Sequence, residues 1–383
     1  LQGFHSGWKP AFQVPDTAAE AEDLGSSQLE TGAWLAHGSH RIAAPVPSRR
    51  APAGLPGSTL DDRSQTTVMS SYDAFATEPT ISWLLTGDPS VRWQTHAHLL
   101  DAAPDTVIGE QAKVADEGWG AALLALQAPD GSWGGGLYNP KWTSTHYTLL
   151  ALRRLGLPRE NEQATKAARL LLEKGFRHDH GVAFHGDPAG RGEMCISGMC
   201  LSMFSYFLID DERVHLLAAH VIEEQMADAG WNCQKPKGAT HSSFHTTCSA
   251  LEGLYDYLTA NSQTPLAIEQ AMVSGRRFLL DHRLFRSHTT GEVVSAAMTR
   301  FPFPPHWQYD VMRALDHFAL SAATHDEGAA DAIELVDSKV GADGRWRQYR
   351  GASGEYHFAI ERPGKPSRAN TMRALRALKW WYG

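Results

Sequence analysis

No apolar run in this 383-residue sequence approaches the roughly 20 residues a membrane-spanning helix needs. Its N-terminus is polar and lacks the apolar stretch of a secretory leader. Cysteine is scarce: Cys195, Cys200, Cys233 and Cys248 are all there are, within one short region of a large chain. That is no disulfide framework, so reduced thiols or metal ligands are expected, in the cytoplasm. Basic charge is also lacking, with 35 Lys and Arg against 43 Asp and Glu and a net charge of −8. Nucleic acid is thereby excluded as the main partner, because phosphate binding needs a basic face. What remains, 42% hydrophobic and 20% charged residues, is the composition of a globular protein with one large domain or two ordinary ones.

Residues 1–71 lack periodicity of either kind and carry scattered Pro, Gly, Ser and Ala, as in Ala51-Pro52-Ala53-Gly54-Leu55-Pro56-Gly57. Such a segment buries too little apolar surface to offset its ordering entropy, and a disordered extension is expected. The alternative is a short helix over 17–24 docked on the body. The chain opens on Leu1, whereas Met69 immediately precedes the first patterned segment and reads as a natural start.

From residue 72 to 383 the chain repeats itself. A turn Asp-Gly-x-Trp occurs as Asp130-Gly131-Ser132-Trp133 and Asp343-Gly344-Arg345-Trp346, with weaker copies at Ala229-Gly230-Trp231 and His180-Gly181-Val182-Ala183-Phe184. The Gly permits the left-handed conformation that ends a helix, and the aromatic folds back to lock the turn. Helices apolar nearly all round, rich in Ala, Gly and Ser, follow near 91–102, 142–152, 194–207, 240–251, 305–318 and 366–379. They alternate with amphipathic segments near 73–85, 110–126, 161–174, 212–227, 265–282 and 326–340. Six inner and six outer helices predict an all-α, six-hairpin toroid around a central cavity, with an open solenoid of the same hairpins as the alternative.

The element Gln127-Ala128-Pro129-Asp130-Gly131-Ser132-Trp133-Gly134 and the hairpin period resemble the terpenoid cyclase and protein prenyltransferase superfamily of α/α toroids. The resemblance spans about 72–383. It implies a hydrophobic, isoprenoid-like small-molecule substrate in the cavity. The Asp-x-Asp-Asp acid motif of class II cyclases and the Asp-Asp-x-x-Asp motif of class I are both absent, so cationic cyclisation has no residue to carry it. The superfamily's prenyltransferase zinc site, Asp-x-Cys at one inner-helix start and His at the next, is matched by Glu193-Met194-Cys195 and by His245 in Phe244-His245-Thr246. The resemblance therefore implies zinc held by Glu193, Cys195 and His245, a ligand set of catalytic type. Of the Arg and Lys that precede the motif in the family only Arg191 is present, and Ile196 replaces its aromatic.

Each candidate has a structural reading beside the functional one. Cys195 and Cys248 are also natural core residues. Glu193 is also a plain helix-start carboxylate. His241, one turn before His245, and Asp310, an acid on an inner helix, are the candidate catalytic groups. His146, Trp142, Phe244, Trp307, Tyr309 and Arg368 are candidate substrate-binding residues, at or near inner-helix starts; packing is their alternative role. Three functions follow: a toroid enzyme on a hydrophobic substrate with zinc, a lanthipeptide-cyclase-like zinc toroid, or a non-catalytic binder of an apolar ligand or protein. The second expects an adjacent Cys-His pair among its ligands, which this chain lacks.

Overall fold

The structure is a computed structural model that describes residues 70–185, 190–262 and 265–383. The expected extension, with Met69 and the alternative helix at 17–24, lies outside the described residues except at its last two positions. There, the Ser70 hydroxyl accepts from the Asp73 N–H and opens the first helix.

Fourteen α-helices are described: α1 Ser71–Phe75, α2 Glu78–Leu85, α3 Pro89–His98, α4 Pro104–Ala112, α5 Gly118–Leu124, α6 Thr145–Leu155, α7 Glu162–Gly175, α8 Met194–Tyr206, α9 Glu212–Glu223, α10 Phe244–Ala260, α11 Leu266–Asp281, α12 Val311–Leu320, α13 Ala330–Ser338 and α14 Arg368–Tyr382. Only isolated β-bridges accompany them among the described residues. The inner ring runs α3, α6, α8, α10, α12, α14 and returns to α3, with α5 wedged between α3 and α6. Arg376 of α14 closes it by donating to the Gln94 side chain of α3 at 3.0 Å. Helices α7, α9, α11 and α13 pack outside. The fold is the all-α toroid that the repeat predicts.

Two expected segments break where their chemistry demands it. The outer helix expected over 110–126 ends as α4 and restarts at Gly118, whose φ of +64° no α-helix admits. The inner helix expected from 305 starts only at Val311, where the Asp310 carboxylate caps it by accepting from the Arg313 N–H. By contrast, α8 is buried along all thirteen residues, as an inner helix should be. Its contact with α10 is backbone-close: a Cβ on Gly198 would lie 2.6 Å from the Ser249 carbonyl carbon.

The turns show why the repeat works. Trp133, Trp231 and Trp346 are all buried, and each indole N–H donates to the carbonyl ten residues earlier, on Leu123, Val221 and Val336 at 2.8, 2.6 and 2.7 Å. Each Trp backbone N–H donates to a Thr hydroxyl at the next inner-helix start: Thr145, Thr247 and Thr371. Val182 does the same toward Ser197. The left-handed residue lies two before the residue whose N–H is anchored: Gly131 and Gly344, but Ala229 and His180 in the weaker copies. Gly230 and Gly181 therefore serve close packing instead; a Cβ on Gly230 would meet Ser242 and Thr247 at 2.6 Å.

Candidate metal centre and cavities

Parallel inner helices put their N-termini at one end of the ring, and most of the candidate residues gather there. Cys195 sits in the first turn of α8, with Glu193 just before it; the thiol donates to the Glu193 carboxylate at 3.2 Å. The third member of the group comes from a turn. Trp231 is tied to Thr247, and Cys233 two residues on donates its N–H to the Thr246 hydroxyl at 3.3 Å. This brings Cys233 from the far side of α9 to the α10 start, beside Cys195. Ligand atoms of Glu193, Cys195 and Cys233 lie within 4.8 Å of one another, the one such group among the described residues. His185 holds the other carboxylate oxygen of Glu193 at 2.9 Å.

Pairing with Cys195 draws the Cys233 thiol down to about 6, against the pull of burial, while the same pairing, burial and Glu193 push Cys195 well up. Two sulfurs of unlike acidity and a carboxylate thus meet in a half-buried corner. Such a donor set suits a thiophilic divalent cation, whose charge would replace the thiol protons and answer the carboxylate.

His245, expected as the third ligand, does not join this group. Its Nδ1 accepts from the Tyr309 N–H at 2.7 Å and its ring meets Trp307 edge-on at 5.1 Å; burial, then Arg313, lowers it to about 4. His241 is exposed, with its carbonyl accepting from Asn232. Asp310 is buried as the cap of α12, accepting from the Arg313 N–H at 2.9 Å, and burial raises it to about 6. Phe244 packs on Phe278, His282 and Tyr309, and the Tyr309 hydroxyl donates to the Leu284 carbonyl. Arg368 stacks on Trp83 and donates to its carbonyl at 3.0 Å, tying α14 to α2. His146 is fully buried against Cys200, with Nδ1 3.7 Å from the sulfur; burial lowers it to about 3.

Trp142 does face a cavity. About 490 Å³ lies beneath the loop 348–363, walled by Trp142, Tyr147, Phe303, His306, Tyr356 and Phe358. Trp142 stacks on His306 at 4.1 Å. Tyr138 connects this wall to the cysteine corner, with its ring 5.2 Å from Tyr147 and 5.7 Å from His185. Lys141 lies over Tyr138, Trp142 and Trp307 at 5.0, 5.7 and 5.9 Å, a cation held by three aromatic faces. Tyr138, Lys141, His185 and Cys233 are absent from the candidates that the sequence offers. The usable signal was the turn: a residue two past a repeat Trp is delivered to the next inner-helix start.

Deeper in the ring the interior is charged. Arg153 grips Asp256 at 2.8 and 2.6 Å, Arg313 grips Glu252 twice at 2.7 Å with Arg154 sharing it at 3.1 Å, and Arg373 and Arg376 share Asp316 at 2.5 Å each. Arg313 and Arg154 hold Glu252 well below the usual carboxylate range despite its burial.

No protein-family profile matches the chain, and no curated protein sequence does. Among solved structures it is similar to the type II terpene cyclase MstE from Scytonema. The apo form is 13% identical, covering 71% of this chain and 95% of that one with a TM-score of 0.28. A variant of that cyclase in complex with its product merosterolic acid A is 12% identical, covering 71% and 96%, with a TM-score of 0.30.

Proposed function

We propose that this protein is a metal-dependent enzyme acting on a hydrophobic, isoprenoid-like small molecule, with zinc held by Glu193, Cys195 and Cys233. The convergence of one carboxylate and two sulfurs within 4.8 Å, joined through Tyr138 to the wall of an aromatic cavity, carries the reading. Bound zinc would supply Lewis acidity, activating a thiol or water or polarising a carbonyl.

The chain's own residues do the rest. The aromatic wall of Trp142, Tyr147, Phe303 and Phe358 excludes water and takes the apolar body of the substrate. His185 fixes the carboxylate of Glu193 and is a positioning residue. Burial keeps the Tyr138 hydroxyl protonated, so it stands as a donor between cavity and corner. Lys141 offers a cation to any charge that develops there. In this arrangement His245 orders the start of α12 through Tyr309, and Asp310 caps that helix.

Elemental analysis of protein purified without chelator tests this. About one zinc per chain is expected, lost in Cys195→Ala and Cys233→Ala and kept in His245→Ala. Loss in His245→Ala with retention in Cys233→Ala would restore the ligand set read from the sequence. No stoichiometric metal in any folded preparation would sink the metal reading and leave the aromatic cavity as the pocket of a non-catalytic binder.

A further inference from the structure

The charged interior encloses a second cavity of about 250 Å³, walled by the middle and later turns of the inner helices. Six arginines line it, Arg153, Arg154, Arg159, Arg313, Arg373 and Arg376, against three carboxylates, Glu252, Asp256 and Asp316. Each carboxylate is already taken. Asp256 accepts from Arg153 and the Ser202 hydroxyl, Glu252 serves two arginines, and Asp316 serves two. Arg159 has no ion pair among the described residues and lies over the Tyr206 ring at 4.8 Å. The wall therefore carries three unmatched positive charges.

Unmatched charge in a buried wall is costly unless something answers it. Part of the answer is the ring itself, since parallel inner helices turn their negative C-terminal ends toward this side. It is incomplete. Arg373 and Arg376, 2% and 6% exposed, leave Nη2 and Nε without a hydrogen-bond partner, and so does Nε2 of His98, which lines the same cavity. Buried guanidinium N–H groups are seldom left unmade. Burial, and the nearby charges of Arg313 and Arg153, push Arg154 down to about 10, the response of a cation crowded by cations.

We infer that this chamber binds a small polyanion, a phosphate or diphosphate group, through Arg373, Arg376 and Arg159. The planar guanidinium fork suits phosphoryl oxygens, and doubly or triply charged anions match the surplus of the wall. At about 250 Å³ the chamber has room for the anionic group and little more. This site is separate in residues from the cysteine corner and does not depend on metal there.

The test is calorimetric titration of the intact protein with inorganic phosphate and inorganic pyrophosphate, at constant ionic strength against chloride, with melting temperature read in parallel. Pyrophosphate is expected to bind in the micromolar to millimolar range and to raise the melting temperature, with phosphate weaker. Arg159→Gln breaks no ion pair; it is expected to weaken pyrophosphate several-fold while the melting temperature without ligand hardly moves. Arg159→Gln with Arg376→Gln removes two of the three unmatched charges while Arg373 still holds Asp316, and should abolish binding. A short alkyl diphosphate, run beside pyrophosphate, decides whether the group arrives free or as the head of a larger molecule. No heat and no thermal shift with any of these ligands would overturn the proposal. Unchanged binding in both variants would overturn the location.

Discussion

The two regions of the ring interior satisfy their buried polar groups by opposite means. Around α10, α12 and α14 the charges stay charged and are matched in tight ion pairs, Glu252 between Arg154 and Arg313, Asp316 between Arg373 and Arg376. At the helix-start end the buried imidazoles and the Cys195 thiol give up their charge instead. Burial keeps His146 and His306 neutral, at about 3, and Cys195 keeps its proton by leaning on Cys233. Pairing makes a rigid frame but binds each partner to the other. Neutrality leaves groups free to accept a cation or a proton. The difference teaches which end is scaffold and which end is poised for chemistry.

The largest effect should come from breaking a pair. Glu252→Ala strands two buried guanidiniums, and removing one partner of a buried ion pair typically costs about 3–5 kcal/mol. Urea unfolding of the variant should show a loss of that size. A loss below about 1 kcal/mol would mean water already reaches the network, and the contrast between the two regions would collapse.

Acid should separate the regions next. His146 and His306 have folded values depressed below the ordinary 6.5. Their stability contribution is present above pH about 6.5 and is lost as pH falls, because the unfolded chain takes up protons that the folded one refuses. Each costs up to about 1.4 kcal/mol per pH unit, or about 2 kcal/mol at pH 5. Glu252 and Asp316 are depressed below the carboxylate range, so their contribution fades only under stronger acid. Unfolding free energy should therefore already decline between pH 6.5 and 5, and His146→Gln should remove about 2 kcal/mol of that decline. A flat profile down to pH 5 would show these histidines to be hydrated.

Much of the scaffold end was legible in the sequence, and little of the poised end. The Trp turns announce themselves because one geometry, an indole to a carbonyl and a backbone N–H to a threonine, needs the same residues wherever it recurs. Where the left-handed position is Ala229 or His180 in place of Gly, the signature fades although the contacts persist. Glu193 and Cys195 were legible as neighbours at one helix start. Cys233 was less so, because its only signal is its place two past a repeat Trp, which the turn carries to the next inner-helix start. The ion pairs have a signal in the sequence: Arg373 and Arg376 stand one turn apart on the face of an inner helix, where unpaired charge is untenable.

Asp310 belongs to neither scheme, and it yields the smallest and sharpest test. It is a buried acid at the boundary, capping α12, and burial lifts it to about 6 against the partial pull of Arg373 and Arg313. A folded value above the ordinary carboxylate value reverses the sign found for the histidines: the folded state binds the extra proton. Its contribution is full below pH about 4 and is lost as pH rises to about 6. Ionised Asp310 is thus a net burden at neutral pH, of about 3 kcal/mol at most by linkage. Asp310→Asn keeps an acceptor for the Arg313 N–H, as an N-cap allows, and removes the charge. Because the amide also replaces one acceptor oxygen with a donor, a gain of about 1–2 kcal/mol at pH 7.5 is expected, vanishing near pH 4. Denaturant midpoints of both proteins across that range would show it. A variant less stable than the parent at pH 7.5 would place the carboxylate inside the arginine network as a fourth counter-charge, and the boundary between the two regions would move one turn toward the helix starts.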